Sequence, residues 1–191
     1  MPFNLSVANS NSVSDFVPAV MIYRRACATA QQAQSRADEH ASTGRNERRL
    51  REVDATVETI VLAQAACEGW IHAAYRLASI DPPRGGWILR WQRAPRAICD
   101  PNARDLDPST IDSLRWLSRW RNYLVHDDAQ ARDGLRQYVA AGSEAAHLTA
   151  ALAHQVIERC DAAFTDAGAI LGAKTLAGLH SAHLWRAPDE R

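Results

Sequence analysis

Apolar positions in this chain recur at three- and four-residue steps and never alternate with period two over a useful length, a pattern that predicts an all-α protein. Phe16, Val20, Tyr23, Cys27 and Ala30 predict a first helix, opened by a Ser14-Asp15 cap with Pro18 in a first turn whose backbone donors are still unused. It is expected to run to about Gly44, with its polar far half, Gln31 to His40, facing solvent. A second helix is expected from roughly Asn46 to Ile80, with Val53, Val57, Ile60, Gln64, Cys67, Ile71, Ala74 and Ala78 on one stripe. Asp81-Pro82-Pro83 and Gly85-Gly86 end it. Residues 84 to 107 read as an irregular connection holding one short helical piece, Trp87 to Trp91, broken by Pro95 and Pro101.

Asp107-Pro108-Ser109 has the form of an N-cap followed by proline at the first helical position. The helix it opens carries Ile111, Leu114, Leu117, Leu124 and Val125, and is expected to bend or break near Asp127-Asp128 before continuing to Val139. Gly142-Ser143-Glu144 starts a last long helix with Leu148, Leu152, Val156, Cys160, Phe164, Ala167 and Leu171 on its face. The predicted fold is an up-and-down bundle of four long helices with a short helical insertion and a C-terminal tail.

At 191 residues the chain suits one buried core. The expected organisation is a flexible lead-in at 1–13, a single helical domain at 14–172, and a tail at 173–191 in which Leu176, Leu179, His183 and Trp185 dock as a last amphipathic turn. Acidic and basic residues balance at 22 each, so a protein that coats long nucleic acid by bulk attraction is excluded and any nucleic-acid site must be focused. Cys27, Cys67, Cys99 and Cys160 are scattered without a CxxC pair and read as reduced thiols. His180-x-x-His183 lacks a nearby third ligand, so neither a metal nor another cofactor is expected. The N-terminus lacks the basic and apolar regions of a secretory signal, and no apolar run approaches bilayer length. The sequence therefore predicts a cytoplasmic protein with no membrane partner.

The residues that carry chemistry are Arg121 and His126. A guanidinium is a permanent cation shaped for phosphate, and an imidazole titrates near neutrality, so the two together can handle a phosphodiester without a metal. Chance alone supplies about one pair of this loose kind in a chain so rich in arginine, so the surroundings decide. Arg121 falls within the apolar stripe of its helix, flanked by Leu114, Leu117, Leu124 and Val125, where a charge needs a partner or a polar cleft. Glu68 lies on the inward side of the second helix between Gln64 and Ile71, and is expected to meet Arg121 across the bundle, as an orienting partner or as a structural bridge. On one straight helix Arg121 and His126 sit about 140° apart, so they converge only if the helix breaks near His126 or a second subunit brings its own copy. Arg115 and Arg119 lie beside His126 on that helix. Arg84, Arg90, Arg93, Arg96 and Arg104, interleaved with Trp87 and Trp91, read either as a basic, aromatic RNA platform or as a solvated rim whose tryptophans anchor the connection.

Arg121-Asn122-x3-His126, preceded by Leu114, Leu117 and Trp120, resembles the R-x4-6-H signature of the HEPN superfamily, in which a polar residue often follows the arginine. The similarity of pattern covers roughly residues 46 to 140. It implies a dimeric all-α bundle acting as a metal-independent endoribonuclease, the toxin or effector of a toxin-antitoxin or antiviral defence system, with an antitoxin or defence partner. On that reading Arg121 and His126 are catalytic in a composite site shared by two subunits. Asn122 and Glu68 support them, and Arg115, Arg119, Arg90 and Arg93 contact RNA. The alternative is a noncatalytic HEPN-like module that binds nucleotide, RNA or a helical partner. Some members carry a tyrosine two residues after the histidine; here that position is Asp128, a departure that sets aside regulation through such a tyrosine.

Overall fold

The computed structural model describes residues 9–44, 46–126, 129–140 and 143–171. Among them every regular element is helical, in the order α1 (Asn9–Thr43), α2 (Asn46–Leu77), α3 (Trp87–Ala94), α4 (Pro108–Val125), α5 (Ala129–Leu135) and α6 (Ala150–Leu171). A π-helical turn, Pro95–Cys99, continues α3, and a 3-10 turn, Glu144–His147, precedes α6. The long helices α1, α2, α4 and α6 form the bundle.

α1 begins at Asn9, ahead of the expected Ser14-Asp15 cap, and Pro18 lies inside it rather than in its first turn. Gly44, at φ +63°, ends it in the left-handed conformation that only glycine adopts without a Cβ penalty, and its N–H bonds the His40 carbonyl at 2.7 Å. α2 stops at Leu77, short of the expected Ile80. Ser79 takes a left-handed φ of 55°, and the Ile80 N–H turns back to the Tyr75 carbonyl at 3.1 Å. Where α1 and α2 pack, small residues bring the backbones close: a Cβ added at Gly69 would lie 3.4 Å from the Ala19 Cβ.

Specific contacts fix the helix directions. On α6, Ala150 donates its N–H to Glu52 of α2 at 2.8 Å, and further along Cys160 lies 3.7 Å from Cys67, so α2 and α6 run parallel. Tyr23 of α1 donates to Asp161 at 2.8 Å, while Ala30 and Ala33 cluster with Ala150 and Ala153, so α1 is antiparallel to α6. At the start of α4, Asp107 accepts the Ser109 N–H at 2.8 Å with Pro108 in the first helical position, as the sequence predicts. Asp166 of α6 accepts from Thr110 Oγ1 at 2.9 Å, and the Arg159 guanidinium lies over the Trp116 ring further along. α4 is therefore antiparallel to α6, and the four helices alternate in direction as expected.

The main core cluster includes Tyr23, Ile60, Ile71, Trp91, Leu114, Leu117, Trp120, Val156 and Leu171, and a smaller alanine cluster lies beside it. Trp91 is fully buried, stacks on Trp70 at 5.0 Å and donates its indole N–H to the Cys67 carbonyl at 3.2 Å. Trp91 thus fastens α3 to α2, and Trp87 is buried in the same core, so their rings serve the core and not an RNA platform. The expected lead-in falls partly on described residues, where α1 already begins, while the expected tail at 173–191 lies outside them.

Candidate functional site

α4 is the element that positions the motif. Its buried residues are Thr110, Ile111, Leu114, Trp116, Leu117 and Trp120. Beyond Trp120 the core thins: Leu124 is half-buried and Val125 is 48% exposed. Arg121 shares the inward side with Leu114 and Leu117 but sits where the packing runs out, and so it is half-buried. Its charge keeps access to water, which removes the need for a full ion pair.

The helix ends at Val125. His126 leaves the helical conformation at φ −116° and ψ 96°, while its N–H still bonds the Asn122 carbonyl at 2.8 Å. That departure swings the ring back toward the stripe: His126 Nε2 lies 3.4 Å from Arg121 Nη1, although an unbroken helix would hold the two apart. Arg121 Nη1 also donates to Asn122 Oδ1 at 3.3 Å. A guanidinium only donates, so Nε2 of His126 is the accepting nitrogen in this contact. The convergence needs no second subunit.

Asn122, His126, Arg119, Gln130 and Ala131 line a pocket of about 190 Å³ where α4 meets α5. Arg119, exposed on α4, lies along Gly134 of α5; a Cβ there would come within 2.7 Å of Arg119 Nη1. Asp127 and Asp128 are outside the described residues.

Glu68 is not part of this group. It is half-buried, and among the described residues no ion pair joins it to Arg121. The helix register gives the reason. Cys67 is level with Cys160, and the adjacent Arg159 is level with Trp116 of the antiparallel α4, so Glu68 stands about seven residues, or about 10 Å of rise, from the level of Arg121. Glu68 instead belongs with His72, one turn along the same flank of α2. There Arg90 Nη1 of α3 touches His72 Nε2. Burial, the Arg90 charge and Arg76 hold the His72 ring below the usual histidine pKa, with Glu68 opposing them. Arg90 Nε is buried with no acceptor among the described residues.

The residues expected to act together therefore do not gather at one place: two groups form on different parts of the bundle, and Arg115 stands apart from both. Arg119, Arg121, Asn122 and His126 gather at the end of α4; Glu68 and Arg90 gather around His72. Arg93 is exposed near Tyr75, whose hydroxyl donates to the Arg90 carbonyl at 3.1 Å and whose pKa is raised by burial against the opposing charges of Arg93 and Arg90. Arg115 pairs with Asp112 at 3.0 Å on the exposed side of α4 and lines a separate pocket of about 420 Å³ with Gln92 and Leu106. Gln130 and His72 were not singled out in the sequence. The spacing Glu68-x3-His72 on one helical flank is the signal that marks the second group.

No group of three or more His, Cys, Asp or Glu side chains among the described residues is arranged to hold a metal ion, and no described helix is long and apolar enough to cross a membrane. Comparison with family models, characterised proteins and solved structures finds no match for this chain.

Proposed function

We propose that the chain is a HEPN-like, metal-independent endoribonuclease of the cytoplasm, the toxin or effector of a toxin-antitoxin or antiviral defence system, with its site at the end of α4. The observation that carries this reading is the 3.4 Å approach of Arg121 and His126, which the break after Val125 brings about within one chain. A phosphate that draws the guanidinium off His126 Nε2 leaves that imidazole nitrogen to take a proton. In the reaction, a general base removes the proton of a ribose 2′-OH, O2′ attacks the adjacent phosphorus, and a general acid protonates the departing 5′-oxygen. The products are a 2′,3′-cyclic phosphate and a 5′-hydroxyl. Arg121 stabilises the charge that builds on the phosphorane oxygens, and Asn122 holds the guanidinium from one side.

A base and an acid are both needed, and each contributes roughly 10²- to 10⁴-fold. His126 is the sole histidine lining the pocket described at the end of α4. On this reading a second copy supplies the other His126 in a homodimer, and activity per chain falls when the protein is diluted until the dimer dissociates. The same observation favours the second reading, a noncatalytic module that binds RNA or nucleotide.

His126→Ala separates the two. His126 is exposed, so its truncation leaves stability within about 0.5 kcal/mol. Loss of both RNA cleavage and growth inhibition is the expected result. Cleavage that persists in a folded His126→Ala protein rules the catalytic reading out, and unchanged RNA binding without any cleavage by the parent protein favours the module.

A further inference from the structure

On a different face of α4 from the Arg119–Asn122–His126 pocket, a groove of about 690 Å³ lies between α4, the segment after α5, and α6. Trp116 and Trp120 form its inner side, and both are buried. Arg159 of α6 spreads over the Trp116 ring with its guanidinium carbon 4.3 Å from the centroid. A guanidinium with one face on an indole offers its other face as a flat cationic platform, a surface on which nucleobases stack. Glu158 and Gln155, both exposed on α6 and both lining the groove, supply acceptors for a base edge. The Trp120 indole N–H is buried and has no acceptor among the described residues, an unmet donor on the same wall.

The opposite end of the groove has the chemistry of an anion site. His147 and His154 line it. So does Ala151, in the first turn of α6. The amides of Ala150, Leu152 and Ala153 are taken by Glu52, the Thr149 hydroxyl and the Thr149 carbonyl, while among the described residues no acceptor takes that of Ala151. This is the positive end of a 22-residue helix. From Ala151 to Arg159 the rise is about 12 Å, comparable to the length of a nucleoside monophosphate.

We propose that this groove binds a nucleotide, with its base stacked on Arg159 and its phosphate at the α6 N-terminus beside His147 and His154. Because α4 is antiparallel to α6, the phosphate end lies toward the end of α4 that carries His126. The ligand is therefore either one residue of a single RNA strand leading to that pocket or a free nucleotide. The inference stands whether or not the chain cleaves RNA.

The test uses the full chain carrying His126→Ala, so that cleavage cannot mask binding. AMP, adenosine, ribose 5-phosphate and inorganic phosphate are titrated by equilibrium dialysis while the tryptophan indole resonances are followed by NMR. The expected result is saturable AMP binding that shifts the Trp120 indole signal, with inorganic phosphate and ribose 5-phosphate at least about tenfold weaker. Arg159→Ala weakens AMP about tenfold or more, and Arg159→Lys does not restore it, because an ammonium offers no planar face. His154→Gln, on the accessible side of α6, weakens AMP more than adenosine and provides the second variant if Arg159→Ala fails to fold. An RNA tetramer that displaces AMP assigns the groove to a strand; AMP binding with no competition from the tetramer assigns it to a free nucleotide. Absence of saturable AMP binding overturns the proposal, as does undiminished affinity in folded Arg159→Ala or equal affinity for inorganic phosphate and AMP.

Discussion

His126 Nε2 lies 3.4 Å from Arg121 Nη1 because α4 stops at the residue before the histidine. Asn122 takes part on both sides of that contact. Its backbone carbonyl holds the His126 N–H at 2.8 Å, and its side-chain oxygen accepts from Arg121 at 3.3 Å. Asn122→Ala keeps the first bond and removes the second. The expected outcome is an unchanged melting temperature with single-turnover RNA cleavage slowed about tenfold, the equivalent of about 1.4 kcal/mol of transition-state stabilisation. A variant that melts earlier yet cleaves at the parent rate limits Asn122 to holding the helix end.

Gly134 offers a way to move Arg119 without touching it. An added Cβ would lie 2.7 Å from Arg119 Nη1, and the far end of an arginine side chain yields easily. Gly134 is inside α5, where alanine is the better helix former by about 1 kcal/mol. Gly134→Ala should therefore leave stability equal or slightly raised while pushing Arg119 off its seat beside the pocket. If Arg119 contacts an RNA phosphate there, the slope of log affinity against log salt falls by about 0.7 for single-stranded RNA. An unaltered slope with an unaltered affinity removes Arg119 from the RNA contacts.

The start of α6 depends on a carboxylate from another helix. Glu52 is 5% exposed, pairs with Arg49 at 2.6 Å and accepts the Ala150 N–H at 2.8 Å. Glu52→Ala leaves Arg49 and the amide of Ala150 without that partner, and should cost about 3 kcal/mol, lowering the melting temperature by roughly 6–12 °C in a protein of this size. Glu52→Gln keeps an acceptor but loses the charge that favours a helix N-terminus, and should cost less than half as much. Urea denaturation of the two variants side by side gives the comparison; equal losses mean that the cap's charge contributes nothing.

The Glu52 contact shows where sequence reading stops. Ser109 and Asp107 are two residues apart in the chain, so the cap of α4 is written locally and the Asp-Pro-Ser triplet announces it. Glu52 and Ala150 are far apart in sequence, and nothing local to either says that they meet. The same limit separates Arg121 from Glu68. Periodicity places both on inward sides, but the axial register of α2 against α4 is set through α6, by Cys67 against Cys160 and Arg159 against Trp116. The spacing from Arg121 to His126 is legible in the sequence, and so is the requirement for either a break or a second subunit. That the break falls at His126 itself, and turns the ring toward the arginine, is a matter of one residue's φ and ψ.

His72 makes a prediction about pH. Arg90 can only donate, so its contact with His72 Nε2 requires a neutral ring. Burial acts first and the Arg90 charge second to depress the His72 pKa, Arg76 adds to them, and Glu68 opposes them. In the unfolded chain the ring titrates near its ordinary value of about 6.5. Above that value His72 is neutral in both states and carries no penalty. As the pH falls below it the unfolded state takes up the proton first, so folding weakens progressively until the pH has dropped through the depressed native pKa. His72→Gln, which keeps a neutral polar side chain at every pH, should flatten the fall in melting temperature between about pH 7 and pH 5 relative to the parent. Glu68→Gln should steepen it, because the carboxylate charge that favours the protonated ring is then gone. Parallel curves for the parent and both variants would mean that the α2–α3 contact does not depend on the charge of His72.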